Sequence, residues 1–125
     1  MDMGTHSDES CDYPDYGIQV ANSVSRKNYN RGILVCGTGL GMSITANKFG
    51  GVRATLCHDT FTAKMSREHT NSNLLILGGR VLHPDRALEI VGIWLKTEFE
   101  GGRHVKRLDK IKDLEDQLTN GNGET

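Results

Sequence analysis

The sequence is poor in the features that mark a chain for membranes, disulfides or polyanions. Its 125 residues include only two prolines and three cysteines, and aromatic residues are 6%. Cys11, Cys36 and Cys57 are widely spaced and form no CxxC pair, so they fit neither a disulfide framework nor a zinc site. Lys and Arg total 15 against 16 Asp and Glu, a net charge of -1, which leaves no basic excess for neutralising nucleic-acid phosphates. No apolar run approaches the roughly 20 residues needed to span a bilayer. The opening Met1-Asp2-Met3-Gly4-Thr5-His6 has neither a charged region nor an apolar core, so it is no signal peptide. These absences point to a soluble, cytosolic chain with neither nucleic-acid nor membrane partner. Its length suits a single domain, residues 1–118, with a disordered tail over 119–125.

What is present is glycine, 15 residues of it, set between short apolar runs. Asp12-Tyr13-Pro14-Asp15 reads as a helix opening, with Pro14 in the first turn and the helix running to about Ser25. Ile33-Leu34-Val35 is a continuous apolar run, the pattern of a strand buried on both faces of a parallel sheet. A glycine loop, Gly37 to Gly41, precedes a helix expected from Met42 to Lys48. Val52–Leu56 is a second strand, and Asp59 caps a helix carrying Phe61 and Met65 one turn apart. Leu74-Leu75-Ile76-Leu77 is a third buried strand, closed by Gly78-Gly79. Pro84 opens a helix with Leu88, Val91, Trp94 and Leu95 on one stripe. A final helix from about Arg103 to Leu118 carries Val105, Leu108, Ile111, Leu114 and Leu118 at helical spacing, before a frayed tail from Asn120. Strands alternating with helices predict an α/β domain with a parallel sheet.

The most informative segment is Val35-Cys36-Gly37-Thr38-Gly39-Leu40-Gly41-Met42-Ser43. It puts Cys36 at the carboxyl end of a buried strand, followed by glycines that permit a tight turn into a helix. In open α/β sheets ligands sit there, because exposed N–H groups and the helix N-terminus favour negative charge. The same field draws a thiol toward its thiolate. A base beside a row of amide donors is what proton abstraction next to a carbonyl requires. The glycines alone do not separate a catalytic loop from a generic anion loop. They lack both the G-x-G-x-x-G spacing and the Lys-Ser/Thr pair of a P-loop.

Three further groups stand out. Ser66-Arg67-Glu68-His69-Thr70-Asn71-Ser72-Asn73 is dense in amides and hydroxyls and suits a sugar-binding edge, although a His at a helix end also serves as a dipole partner. Arg80 follows Gly78-Gly79 at a strand end, on the ligand side of a parallel sheet or as plain surface charge. Arg103 and Arg107 lie four apart at a helix start, where two guanidiniums oppose the macrodipole unless an anion such as a phosphate binds them.

With these segments together, the chain resembles the ribose-5-phosphate isomerase B family, which includes galactose- and allose-6-phosphate isomerases. The resemblance rests on Asp12-Tyr13-Pro14-Asp15-Tyr16, Leu34 to Ser43, Ala46-Asn47-Lys48, Ser66-Arg67-Glu68-His69, Gly79-Arg80 and Glu100-Gly101-Gly102-Arg103-His104, in the family's order and spacing. It implies a Rossmann-like three-layer α/β/α sandwich with a mainly parallel sheet. It also implies a homodimer or dimer of dimers with a shared active site, and isomerisation of a sugar phosphate through a cis-enediolate without metal or cofactor. By that resemblance Cys36 is the general base, Thr38 assists proton movement, and His69 opens the sugar ring. The amides of Gly37, Gly39, Leu40 and Gly41 hold the enediolate, Tyr13 borders the sugar, and Arg80, Arg103 and Arg107 hold the phosphate. Two departures follow. Family members begin with a strand ending in Asp-His, a helix and a second strand, and this sequence starts near the end of that second strand, an N-terminal truncation. Thr70 stands where the ribose enzymes usually have an Asn that contacts the sugar, so the preferred sugar stays open.

Two competing functions carry distinct expectations. A non-catalytic sugar-phosphate binder, or one subunit of a hetero-oligomeric isomerase, would account for the missing Asp-His. Retention of both Cys36 and His69 favours an enzyme. Nucleotide binding would need an acidic residue ending the next strand, for which Cys57-His58-Asp59 is a poor match.

Overall fold

The computed structural model describes residues 13–121, with side chains from 15 to 120. Three strands, β1 (Gly32–Cys36), β2 (Ala54–Leu56) and β3 (Leu74–Gly78), form one parallel sheet in the order β1-β3-β2. Gly32 lies opposite Leu74 and Cys36 opposite Gly78, while Ala54 lies opposite the other side of Leu74. β3 is central, and all five of its residues are buried, as its uninterrupted apolar run demands.

Helices cover both faces. α1 (Tyr13–Ser25) and α2 (Leu40–Ala46) pack on one side, where Ala21, Val24, Met42 and Ala46 meet Leu34, Leu74 and Ile76. α3 (Thr60–Thr70) and α4 (Pro84–Lys96) pack on the other, where Ala63, Ile90 and Trp94 meet Leu75 and Leu77. The layering is the expected Rossmann-like α/β/α sandwich. α5 (Arg103–Gly121) runs along the edge of this body, tied to it where Glu115 Oε1 accepts from the Gly51 amide at 2.8 Å, with Ile111, Leu114 and Leu118 exposed.

Local chemistry explains the boundaries. Asp59 caps α3 by accepting from the Thr62 amide at 2.7 Å, and the Thr62 hydroxyl accepts from the Asp59 amide in return. Asn71 ends α3 in the left-handed region at φ 49°. The Asn47 side chain clips α2 to β2, donating to the Ala54 carbonyl and accepting from the Ala54 amide, each at 3.0 Å.

Several elements differ from expectation. α2 begins two residues early, at Leu40, because Gly39 takes φ 85° and turns the chain at once. β2 is shorter, three residues rather than five. β1 is not buried on both faces. Leu34 is buried, but Ile33 is 38% and Val35 64% exposed, because among the described residues no helix covers β1 on the α3/α4 side. The stripe expected on α4 is rotated. Ile90 and Trp94 are buried while Leu88 and Leu95 are exposed, since the indole, the largest group available, turns inward where its N–H reaches the Ser72 hydroxyl at 3.2 Å. α5 continues to Gly121, past the point where a tail was expected.

The polar run 66–73 proves largely structural. Arg67 is buried, its guanidinium donating to the Thr97 and Ser72 carbonyls and to Asn71 Oδ1, and lying 5.9 Å from the Trp94 ring. Burial pulls its pKa below the usual arginine value, and neighbouring Arg31 adds to this. Among the described residues no buried side-chain nitrogen or oxygen is left without a partner, which is what burying a guanidinium requires.

Candidate active site

A parallel sheet gathers the ends of its strands at one edge, and there the structure places the first half of the candidate site. Cys36, a free half-buried cysteine, ends β1. Its carbonyl accepts from the Gly79 amide at 2.5 Å, and the Gly37 carbonyl accepts from the Arg80 amide at 2.9 Å, so the two strand-end loops are laced together. The amides of Gly37, Thr38 and Gly39 have no backbone acceptor among the described residues, which leaves them as donors for a ligand. Thr38 Oγ1 accepts from the Leu40 amide at 3.3 Å, orienting the hydroxyl at the turn. Arg80 folds across the loop, its Cδ and Nε 3.5 Å from the point where a Cβ on Gly37 would stand. Gly78 is required by close approach, because a Cβ there would lie 2.7 Å from the Thr38 carbonyl oxygen.

His69 and the arginine pair lie elsewhere. α3 starts at Thr60, just past the end of β2, and runs back to Thr70, just before β3 begins. His69 therefore sits at the opposite edge of the sheet from Cys36, separated by an 11-residue helix that spans about 16 Å. Arg103 and Arg107, both exposed, open α5 at that far edge, tied there by the Glu100 amide donating to the Glu68 carbonyl at 3.1 Å. The exposed Thr70 hydroxyl donates back to the Ser66 carbonyl at 2.5 Å. Tyr13 begins α1, but its side chain, like Cys11, lies outside the described residues. One copy of the chain thus holds Cys36, Thr38, the glycine amides and Arg80 at one edge, and His69, Thr70, Arg103 and Arg107 at the other.

Two residues without an assigned role join His69. His104, only 2% exposed, stacks on His69 with ring centroids 4.2 Å apart and planes 19° from parallel. Its Nε2 lies 3.3 Å from Glu100 Oε1. The signal in the sequence was the four-residue interval between Glu100 and His104, interrupted by Gly101 and Gly102, which masks it as a helical pair. Cys57 has no such company. It is buried, and desolvation first of all raises its thiol pKa, a structural cysteine.

The fold is that of an α/β protein of Rossmann type, and a free thiol, a glycine loop with open amides and an arginine gather at the carboxyl ends of its parallel sheet, where such folds take their ligands. The model of the ribose/galactose isomerase family matches residues 1–111. Ribose-5-phosphate isomerase B of Escherichia coli is 46% identical over 115 residues, which cover 92% of this chain and 77% of that protein. D-erythrulose-4-phosphate isomerase of Pectobacterium atrosepticum is also 46% identical, over 105 residues, 84% of this chain and 69% of the relative. The structure of Clostridium thermocellum ribose-5-phosphate isomerase B matches with a TM-score of 0.91 at 52% identity, over 94% of this chain and 80% of that one. The chain belongs to the ribose/galactose isomerase family.

Proposed function

We propose that the chain is an aldose–ketose isomerase that interconverts ribose 5-phosphate and ribulose 5-phosphate, or a closely related sugar phosphate, in sites built between two copies. The observation that carries this reading is the half-buried Cys36 at the carboxyl end of β1, followed by a loop whose Gly37 to Gly39 amides have no backbone acceptor among the described residues and against which Arg80 folds. The Cys36 thiolate takes the C2 proton of the open-chain aldose, and the electron pair forms the C1–C2 double bond of a cis-enediolate. The amides of Gly37, Gly39 and Gly41 hold the negative oxygen, and that of Leu40 joins them on leaving the Thr38 hydroxyl, to which it donates at 3.3 Å. Thr38 passes a proton between the two oxygens, and the thiol returns its proton to C1, giving the ketose. His69 donates a proton to the ring oxygen as the cyclic sugar opens. Arg80 holds the phosphate together with Arg103 and Arg107, and Tyr13 borders the sugar.

The separation of Cys36 from His69 favours a homodimer or dimer of dimers, with each site taking its thiol from one copy and its His69, Arg103 and Arg107 from the other. The exposed apolar stripe of α5 supplies a surface for that association. A second reading, a non-catalytic sugar-phosphate binder or one subunit of a hetero-oligomer, is favoured by the open face of β1 at Ile33 and Val35.

The test is conversion of ribose 5-phosphate with EDTA present, joined to exchange of the C2 proton in deuterated water. Turnover and exchange that both vanish in Cys36→Ala support the isomerase, whereas binding without exchange by the unaltered chain supports the second reading. Mixing inactive Cys36→Ala with inactive His69→Asn is then decisive for the shared site. Random exchange of subunits restores roughly a quarter of the sites if the two residues come from different copies, and none if they come from one.

A further inference from the structure

We propose that His69, Glu100 and His104 form a binding site for a divalent transition-metal ion of the borderline class, with Zn2+ as its representative. Each residue offers one ligand atom, and the three atoms lie within 4.8 Å of one another. In a tetrahedral site with bonds of about 2.0–2.2 Å the ligand atoms stand roughly 3.4 Å apart, so closure requires little movement. The residues able to move are the ones that need to. His104 is buried and fixed, whereas Glu100 is exposed, and His69 is half-buried with neither ring nitrogen hydrogen-bonded among the described residues.

The backbone assembles the cluster in advance. The Glu100 amide binds the Glu68 carbonyl at 3.1 Å, which holds the loop against the last turn of α3. Gly101 and Gly102, at φ 71° and 54°, then turn the chain sharply enough to bring His104 back beside Glu100. Near-parallel ring planes keep the two lone pairs from converging, and a turn of the His69 ring, which makes no hydrogen bond among the described residues, aims both at one ion. Two imidazoles and a carboxylate suit Zn2+, Co2+, Ni2+ or Cu2+ and not Mg2+, which prefers an oxygen octahedron. Three protein ligands leave a fourth position for water, and the exposed carboxylate gives the ion access from solvent.

Binding stands on this geometry alone. Its consequence for turnover rests on the role proposed above for His69: an ion that occupies its lone pair removes the proton donor for ring opening, so the ion inhibits and EDTA relieves it. The first experiment is titration of the full chain with Co2+, read by its visible tetrahedral absorption, followed by displacement with Zn2+. The expected result is one Co2+ per chain without a thiolate charge-transfer band, retained in Cys36→Ala. Affinity falls at least about tenfold in Glu100→Gln, an exposed position where folding is not at stake, and likewise in His104→Ala. No saturable absorption, a thiolate band, or equal affinity in Glu100→Gln overturns the site. Stoichiometric binding with no effect on turnover upholds the site and counts instead against the ring-opening role of His69.

Discussion

Two adjacent glycines offer a direct test of the geometry under the cysteine loop. A Cβ on Gly78 would stand 2.7 Å from the Thr38 carbonyl oxygen, 3.0 Å from its carbon and 3.2 Å from its Cα. All three are backbone atoms, so no side chain can swing aside. Ordinary contact begins at about 3.4 Å, so the Thr38 segment must move by about 0.7 Å, and overpacking of that kind costs roughly 2–3 kcal/mol. On Gly79 the nearest atoms would be the Cys36 carbonyl oxygen at 3.4 Å and a Val35 methyl at 3.5 Å, which is tolerable. There the loss of unfolded-state freedom makes alanine neutral to stabilising by about 0.4–1 kcal/mol. Urea denaturation of Gly78→Ala and Gly79→Ala should therefore give shifts of opposite sign or very unequal size. Gly78→Ala should also lose turnover, because Thr38 and the open amides move with the strained segment. Equal stabilities for the two variants would refute the close approach of the Thr38 backbone to β3.

Other consequences are as readily measured. In a Cys11→Ser background at pH 8, an aromatic disulfide reagent should modify Cys36 in the folded protein and Cys57 only after unfolding, because Cys57 is buried with a raised thiol pKa. Two thiols reacting at one rate in the native state would contradict this. Trp94→Phe should cost roughly 1–3 kcal/mol, since it shrinks a fully buried side chain and removes the donor to Ser72. Trp94 is the only tryptophan, so unfolding is followed by circular dichroism rather than fluorescence. Hydrogen bonds from the Thr62 amide and then its hydroxyl depress the Asp59 pKa, so its charge-linked stabilisation is present above the unfolded value near 3.9 and disappears as pH falls through the folded one. The stability gap between the native chain and Asp59→Asn should narrow on acidification from pH 6 toward pH 2. A gap independent of pH would show that the carboxylate charge contributes nothing.

The parts of this protein legible in the sequence are those determined by neighbours along the chain. Cys36 and its glycine loop are consecutive residues, so their place at a strand end followed from the apolar run before them and the helix after. Leu74 to Leu77 read as a buried strand because all four are apolar, and the sheet gave them its centre. Asp59 announced the start of α3 because capping is a three-residue interaction.

Tertiary structure decided what depends on contacts between distant segments. Ile33 and Val35 carry the same apolar signal as Leu75 and Leu77, yet only the latter lie beneath α3 and α4. A residue's apolarity records its affinity for cover, not whether cover arrives. The polar run 66–73 looked like a ligand edge because hydroxyls and amides bind sugars, and it is largely spent on Arg67 and Trp94, whose buried polar atoms need those partners. The distance between Cys36 and His69, and the meeting of His69 with His104, follow from a helix that carries the chain back across the sheet and a loop that returns to its end. Local sequence determined which chemical groups the protein has and the element on which each stands. Which of them face one another was decided by packing, because contacts across the sheet depend on burial by elements far apart in the chain.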